Sequence, residues 1–132
     1  MTADEMYRES RSAFDSTDIL ILAAAVVDYK PVIKAEEKIK KHEKSMALEL
    51  TKTVDIADSL GKEKKNQFIV GFALETENEI ANAKEKIKKK NFDLIVLNSL
   101  QDKGAGFGYD TNKITLIYKH EKIKGFKLKS KT

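Results

Sequence analysis

The sequence predicts a three-layer α/β fold, with a mostly parallel sheet that closes in an antiparallel hairpin. Short apolar runs at 19–26, 68–72 and 93–97 contain β-branched residues, as expected of strands buried on both faces of a parallel sheet. Helical segments separate these runs, and strands that alternate with helices are typical of layered α/β sheets. Two apolar segments near the C-terminus, 114–118 and 123–128, predict the hairpin.

The first helix is predicted over residues 2–14. Thr2 and Glu5 have the spacing of a capping box, in which each side chain bonds the other residue's backbone N–H. Apolar residues in this segment fall on one helical face. Residues 16–18 break the helix, and the first buried strand follows at 19–26.

The middle of the chain predicts less regular structure. Residues 28–44 are mostly polar and contain the only proline, Pro31, which predicts a long loop. Apolar residues at every second position over 46–50 predict a strand with one solvent-exposed face. Residues 54–60 predict a short helix, for which Gly61 is a suitable C-terminal stop.

The second half of the chain repeats the alternation of strand and helix. Thr76 and Glu79 have the spacing of another capping box, and the helix that they open runs to about Lys90. Its acids lie early and its lysines late, which matches the helix dipole. Ile80, Ala83 and Ile87 form its predicted buried stripe.

Composition excludes several classes of protein. The chain has 132 residues, which predicts a single domain, and its net charge of +4 suits a polyanionic small ligand. It has no cysteine and two histidines, so disulfides, thiolate zinc sites and histidine-rich metal sites are not expected. No apolar run approaches the ~20 residues of a membrane span, and no secretory signal is visible, so we expect a cytoplasmic protein.

Polar side chains follow three predicted strands: Asp28, Glu75 and Asn98. Each residue alone is equally well explained as a turn residue. If the strands are parallel neighbours, however, all three side chains meet at one edge of the sheet, where ligands of open α/β sheets bind. Their convergence therefore favours a binding site.

Three further features have a functional and a structural interpretation. Ala23, Ala24 and Ala25 would admit a ligand close to the backbone, but tight helix packing over a central strand is the favoured explanation. The lysine-rich segment 34–41 suits phosphate binding because it follows an acid that can meet a cation; a solvated surface is the alternative. Lys86 and Lys90 share a helix face, so they can hold phosphates or simply match the helix dipole.

Five stretches together carry a resemblance to a known family. They are AAVVDYKP at 24–31, EKIKK at 37–41, VGFALET at 70–76, KNFDLIVLN at 90–98 and GFGYDTNKIT at 106–115. In their order and spacing they resemble phosphopantothenate–cysteine ligase, the synthetase half of the bifunctional coenzyme A biosynthesis flavoprotein. The resemblance covers most of residues 3–118.

The resemblance implies a Rossmann-like fold and an enzyme of coenzyme A biosynthesis. CTP activates the carboxylate of 4′-phosphopantothenate to an acyl-cytidylate, and pyrophosphate leaves. The amine of cysteine then forms the amide of 4′-phosphopantothenoylcysteine and releases CMP. The resemblance also implies Mg²⁺ with the nucleotide, a homodimer, and fusion to or partnership with a flavin-dependent decarboxylase, but no flavin in this chain. The choice between CTP and ATP is left open.

The resemblance also assigns residues. It implies that Lys38 is the catalytic lysine of a mobile loop that covers the activated intermediate, and that Asp28 lies with the nucleotide and its metal. Lys86 and Lys90 are implied to meet phosphates. The implied nucleotide-binding set is Leu22, Ala23, Ala24, Asp28, Lys38, Val54, Asp55, Ile56, Ala57, Phe72, Lys86, Lys90 and Asn98.

The chain departs from the family pattern in places. Thr53-Val54 and Ser99 stand where the family has Asn-Pro and Asp, and residues 1–18 do not resemble the family's glycine-rich N-terminal segment. The C-terminal helix of the family is also not recognisable. We therefore expect a fragment of the synthetase domain that binds nucleotide with little turnover alone. The alternatives are a non-catalytic nucleotide-binding module and a basic nucleic-acid-binding domain; the latter is disfavoured because no aromatic residues interleave the scattered lysines.

Overall fold

The computed structural model describes residues 2–39, 45–102, 104–105 and 108–131. The predicted features at Lys40, Lys41, Gly106 and Phe107 lie outside these residues. Three helices are described: α1 (Ala3–Phe14), α2 (Ile56–Glu63) and α3 (Glu79–Lys90). The strands are β1 (Ile19–Leu22), β2 (Tyr29–Pro31), β3 (Leu50–Lys52), β4 (Phe68–Glu75), β5 (Leu94–Ser99), β6 (Thr111–Asn112), β7 (Ile114–Tyr118), β8 (Ile123–Gly125) and β9 (Lys129–Ser130).

Within the described residues, five strands form the central sheet in the order β1-β4-β5-β7-β8. β1, β4 and β5 are parallel, and Leu22, Gly71 and Ile95 lie side by side in the register. β7 runs antiparallel to β5 and pairs with β8, which confirms the predicted hairpin. The α/β fold with parallel strands at its centre is confirmed.

All three described helices pack on the same face of this sheet. Phe14, Leu60 and Ile87 of the helices join Ile69 and Ile95 of the sheet in one buried cluster. The described residues therefore provide two of the three predicted layers. On the opposite face several apolar side chains are partly exposed, at fractions between 41% and 61%: Ile19, Ile21, Phe68, Phe72 and Leu74.

The first strand differs from its prediction. β1 ends at Leu22 rather than at position 26. It is not buried on both faces, because Ile19 and Ile21 lie on the face of the sheet that no described helix covers. The alanines that follow have low β propensity. The chain leaves the sheet there, and Thr53 N–H donates to Asp28 O at 2.9 Å to hold the departing segment.

The predicted loop and strand that follow are also corrected. Residues 29–31, predicted as loop, form β2, which pairs antiparallel with β3. The strand predicted over 46–50 is wrong, because strand structure begins only at Leu50 and Met46 and Leu48 are exposed. Pairing between these two distant segments, rather than burial of one apolar face, stabilises this small ribbon.

Some helix ends lie where the sequence predicts them, and others do not. The capping box of α1 is present, with Thr2 N–H donating to Glu5 Oε2 at 2.7 Å and Glu5 N–H donating to Thr2 Oγ1 at 3.2 Å. The second capping box is absent: α3 begins at Glu79 after Asn78 in a left-handed conformation, and the Glu79 carboxylate instead accepts from the Ser99 hydroxyl. Ile80 is 45% exposed, so it does not belong to the buried stripe.

Gly61 does not terminate α2. The helix continues to Glu63, and Gly61 is buried where α2 crosses the end of α3. A Cβ atom at position 61 would lie 2.1 Å from the backbone oxygen of Lys90. Glycine is therefore required by the close approach of the two helices.

We predict that Gly61→Ala destabilises the protein. Alanine is the better helix former by about 1 kcal/mol, so it would stabilise an unobstructed helix. Here the overlap with Lys90 O should force the helices apart and lower the free energy of unfolding by about 1–3 kcal/mol, measured by urea denaturation.

Gly125→Ala is the matched control, because its nearest contact would be Thr115 Oγ1 at 4.0 Å. It should change the free energy of unfolding by no more than about 1 kcal/mol. A Gly61→Ala protein as stable as the wild type would contradict the prediction.

Candidate functional site

A cavity of about 360 Å³ opens at the carboxyl ends of β1 and β4. Its walls come from β1 and residues 23–28, the start of α2, the last turns of α3 and one side of α1. Its volume lies in the range typical of small-molecule sites. The edge of the sheet at which it opens is the one where ligands of open α/β sheets bind.

Small residues form the floor of the cavity. Ala23 and Ala24 line it where the chain leaves β1, and Gly71 lines it on β4. A Cβ atom at position 71 would lie 2.3 Å from the ring of Phe92, so the glycine lets this ring pack directly against the strand. Phe72 also borders the cavity, and its side chain, on the opposite face of the sheet from the helices, is 42% exposed.

The N-terminus of α2 points into the cavity. Asp55 caps this helix by accepting from Asp58 N–H at 3.0 Å. The N–H groups of Ile56 and Ala57, in the first turn, have no partner within the helix. Such free N–H groups, together with the helix dipole, favour an anion at this position.

Asp55 also holds Lys90, which reaches across from α3. Lys90 Nζ lies 2.9 Å from Asp55 Oδ2 and 3.1 Å from Oδ1. Burial raises the pKa of Asp55, but the hydrogen bonds from Lys90 and from Asp58 N–H outweigh burial and hold the pKa below its ordinary value. Asp55 is therefore ionised and paired across the mouth of the cavity.

Lys86 is paired as well, but with a carboxylate that does not line the cavity. Its Nζ donates to Glu75 Oε1 at 3.2 Å, and Asn82 Nδ2 donates to Glu75 Oε2 at 3.2 Å. Both predicted phosphate-binding lysines thus face the cavity with a carboxylate partner.

The charges that line the cavity cancel. Among the described residues these charges are Asp28 and Asp55 against Lys86 and Lys90. The Asp28 side chain is exposed and has no partner within the described part of the chain. No group of three or more metal-ligating side chains occurs among the described residues, so a metal here would need ligands from a bound molecule beside Asp28.

The structure brings together most of the residues predicted for the site. Those that line the cavity are Leu22, Ala23, Ala24, Asp28, Val54, Asp55, Ile56, Ala57, Phe72, Lys86 and Lys90. Lys38 does not line it and is exposed in the segment after β2. Asn98 does not line it either; it is the last residue but one of β5, and its buried Oδ1 makes no hydrogen bond with any described residue. The binding roles of all these residues stay predictions.

Several residues of the site escaped the sequence analysis. Met6 and Ser10 place α1 at the cavity, and Thr53 and Phe92 complete its wall. No motif marks these residues, because each reaches the site through packing between distant segments. The pairing of Glu75 with Lys86 spans eleven positions and likewise has no short-range spacing that would predict it.

No helix in the described part of the chain is both long and apolar enough to cross a membrane.

Comparison with known proteins finds one matching family and relatives with similar sequences. The family described as DNA/pantothenate metabolism flavoprotein C-terminal domain matches residues 1–132. A cysteine/cysteine sulfinic acid decarboxylase from an unknown prokaryotic organism is 54% identical over 131 residues, which are 98% of this chain and 36% of that protein. The coenzyme A biosynthesis bifunctional protein CoaBC of Bacillus subtilis (strain 168) is 45% identical over 118 residues, which are 89% of this chain and 29% of that protein.

A solved structure supports the fold. The crystal structure of the C-terminal domain of a coenzyme A biosynthesis bifunctional protein CoaBC matches with a TM-score of 0.73 and 33% sequence identity. The match covers 97% of this chain and 56% of that chain. The chain thus spans about a third of the curated relatives and just over half of the solved domain.

The Asp55–Lys90 pair predicts a pH-dependent stability difference. Because the folded state lowers the pKa of Asp55, its contribution is complete above the pKa of the unfolded chain and is lost as pH falls through the folded pKa. Asp55→Asn keeps the helix cap but loses the charge. We expect it to be less stable than the wild type by about 0.5–1 kcal/mol at pH 6, since the pair is partly exposed.

This difference should shrink as the pH is lowered below about 4, measured by urea denaturation across pH. In a Lys90→Met background the same substitution should show a weaker dependence on pH. A stability difference that is unchanged between pH 6 and pH 3 would show that the pair does not stabilise the fold.

Proposed function

Since the chain belongs to the DNA/pantothenate metabolism flavoprotein C-terminal domain family, we propose that it is the nucleotide-binding part of a phosphopantothenate–cysteine ligase in coenzyme A biosynthesis. The family membership agrees with the resemblance predicted from the sequence. The relatives that carry the name of coenzyme A biosynthesis proteins support the pathway. The activity, the substrates and the partners of the whole protein are part of the proposal.

One observation carries this proposal. The cavity collects residues from β1, α2, β4 and α3, segments that are far apart in the chain. Their chemistry suits a nucleotide: an aromatic surface at Phe72, free N–H groups at the start of α2, and two ammonium groups at Lys86 and Lys90. A base can stack on the ring, and phosphates can bind the N–H groups and the lysines.

The proposed reaction is the one that the family resemblance implies. The carboxylate oxygen of 4′-phosphopantothenate attacks the α-phosphate of CTP, an acyl-cytidylate forms, and the bond to pyrophosphate breaks. The cysteine amine then attacks the acyl carbon, and CMP leaves as the amide forms. Both partners of the first step are anions, so cationic groups at the phosphates lower its barrier. We propose that Lys38 supplies such a group when its segment covers the intermediate.

Mg²⁺ fits this site together with the nucleotide. The lining charges cancel, so the protein alone offers little net attraction for a triphosphate. Mg²⁺ is commonly held by one or two carboxylates and by substrate phosphates, and Asp28 is the free carboxylate at the cavity. When bound, the ion would neutralise phosphate charge.

The other predicted partners also stay proposals. A homodimer, as the resemblance implies, is supported by apolar side chains that are exposed near the hairpin, Ile123 and Leu128. The relative named as a decarboxylase extends well beyond the segment that matches this chain. We propose that decarboxylation, where it occurs, belongs to a separate flavin-dependent part and that this chain binds no flavin.

We predict that the chain binds CTP in the presence of Mg²⁺, measured by isothermal titration calorimetry. Lys86→Gln should weaken CTP binding about tenfold, because it removes a charged hydrogen-bond donor from the cavity. Lys88→Gln, an equal charge change on the exposed part of the same helix, should have little effect. Lys38→Gln should also leave most of the affinity, because Lys38 does not line the cavity.

A pyrophosphate-release assay with 4′-phosphopantothenate and cysteine completes this experiment. We expect little or no turnover from the chain alone, because it spans 56% of the solved domain. CTP binding without turnover even in a protein of the relatives' full length would favour the non-catalytic nucleotide-binding module. No CTP binding at millimolar concentration would contradict both functions.

A further inference from the structure

The two lysines of the cavity are held in different ways. Lys90 pairs with Asp55, which itself lines the cavity, so a bound phosphate would compete with this carboxylate. Lys86 pairs with Glu75, which does not line the cavity. Glu75 therefore holds the Lys86 ammonium without occupying the cavity, and no other described side chain accepts a hydrogen bond from that ammonium.

Glu75 is itself fixed in position. It ends β4, and its backbone oxygen accepts from Leu100 N–H at 3.1 Å. Its carboxylate bridges two successive turns of α3: one oxygen accepts from Asn82 at 3.2 Å, the other from Lys86 at 3.2 Å. Asn82 is held in turn, because its Nδ2 also donates to Glu77 O at 3.0 Å. The side chain of Glu75 is only 18% exposed.

We propose that Glu75 is a positioning residue that presents Lys86 to the phosphate chain, so that the cavity distinguishes nucleotides by the number of their phosphates. This inference rests on the proposed nucleotide-binding function. A lysine side chain has high rotamer entropy, and ordering it on binding costs free energy. Glu75 orders Lys86 before the ligand arrives. The ammonium has three N–H donors, so one bond to Glu75 leaves two for phosphate.

The direction in which CTP affinity changes when Glu75 loses its charge tests the proposal. The negative charge of Glu75 repels a phosphate, so removing it would strengthen phosphate binding if Glu75 only neutralised Lys86. Positioning predicts the reverse. Loss of the carboxylate should weaken the binding of CTP although it makes the site more positive.

The experiment measures the dissociation constants of cytidine, CMP and CTP, each with Mg²⁺, by calorimetry. The variants are Glu75→Gln and, as a matched control, Glu85→Gln, the same charge change at an exposed position of α3. We expect the preference of the wild type for CTP over cytidine to fall about tenfold in Glu75→Gln. Cytidine affinity should be unchanged, and Glu85→Gln should keep the full preference.

Two further variants strengthen the test. Asn82→Ala removes the anchor of Glu75 without changing any charge, and it should lower the preference in the same direction by a smaller factor. This variant keeps the proposal testable if Glu75→Gln does not fold. A Lys86→Gln/Glu75→Gln double variant should bind CTP no more weakly than Lys86→Gln alone, because Glu75 acts through Lys86.

The other outcomes overturn the inference. A stronger preference for CTP in Glu75→Gln would identify Glu75 as a competitor for Lys86. An equal loss of affinity for cytidine, CMP and CTP would identify a structural role only. A wild-type chain that binds CTP no better than cytidine would overturn the proposed function as well, which separates that failure from the first two.

Discussion

The close contact between α2 and the end of α3 at Gly61 brings together the two helices that supply most of the charged groups of the candidate site. The backbone of Lys90 occupies the space that a side chain at position 61 would need, and Asn91 Nδ2 donates to Gly61 O at 3.0 Å. With the two helices locked at this point, Lys90 reaches Asp55 at the N-terminus of α2. The free N–H groups of α2 and the ammonium groups of α3 then face one cavity.

The residues that follow α3 pack the end of this helix against the sheet. Asn91 ends the helix in a left-handed conformation, with φ of 52°. Phe92 follows, and its ring packs against Gly71 of β4 in the space that a Cβ atom would occupy. Residues 90–92 thus contact α2 on one side and β4 on the other, so packing connects the lysines at the end of α3 to the strand that carries Phe72.

Features encoded over a few residues were predictable from the sequence. The capping box of α1, the strand at Phe68, and the hairpin of β7 and β8 follow from local patterns, as does the placement of Lys86 and Lys90 on one helix face. The family resemblance added the residues of the cavity that come from separate segments.

Features that depend on distant partners were not predictable. Ile19 and Ile21 of β1 are exposed because no described helix covers their face of the sheet, which the apolar sequence does not reveal. α3 begins later than predicted, and Glu79 bonds Ser99 of β5 instead of capping the helix. Gly61 is a contact between helices rather than a helix stop. The contact between Glu75 and Lys86 likewise depends on the packing of β4 against α3.

The most direct measurement is a crystal structure of the chain grown with CTP and Mg²⁺. The account places the phosphates at the start of α2 within reach of Lys86, with the base beside Phe72. A nucleotide bound on another surface, with nothing in the cavity between α2 and α3, would contradict it.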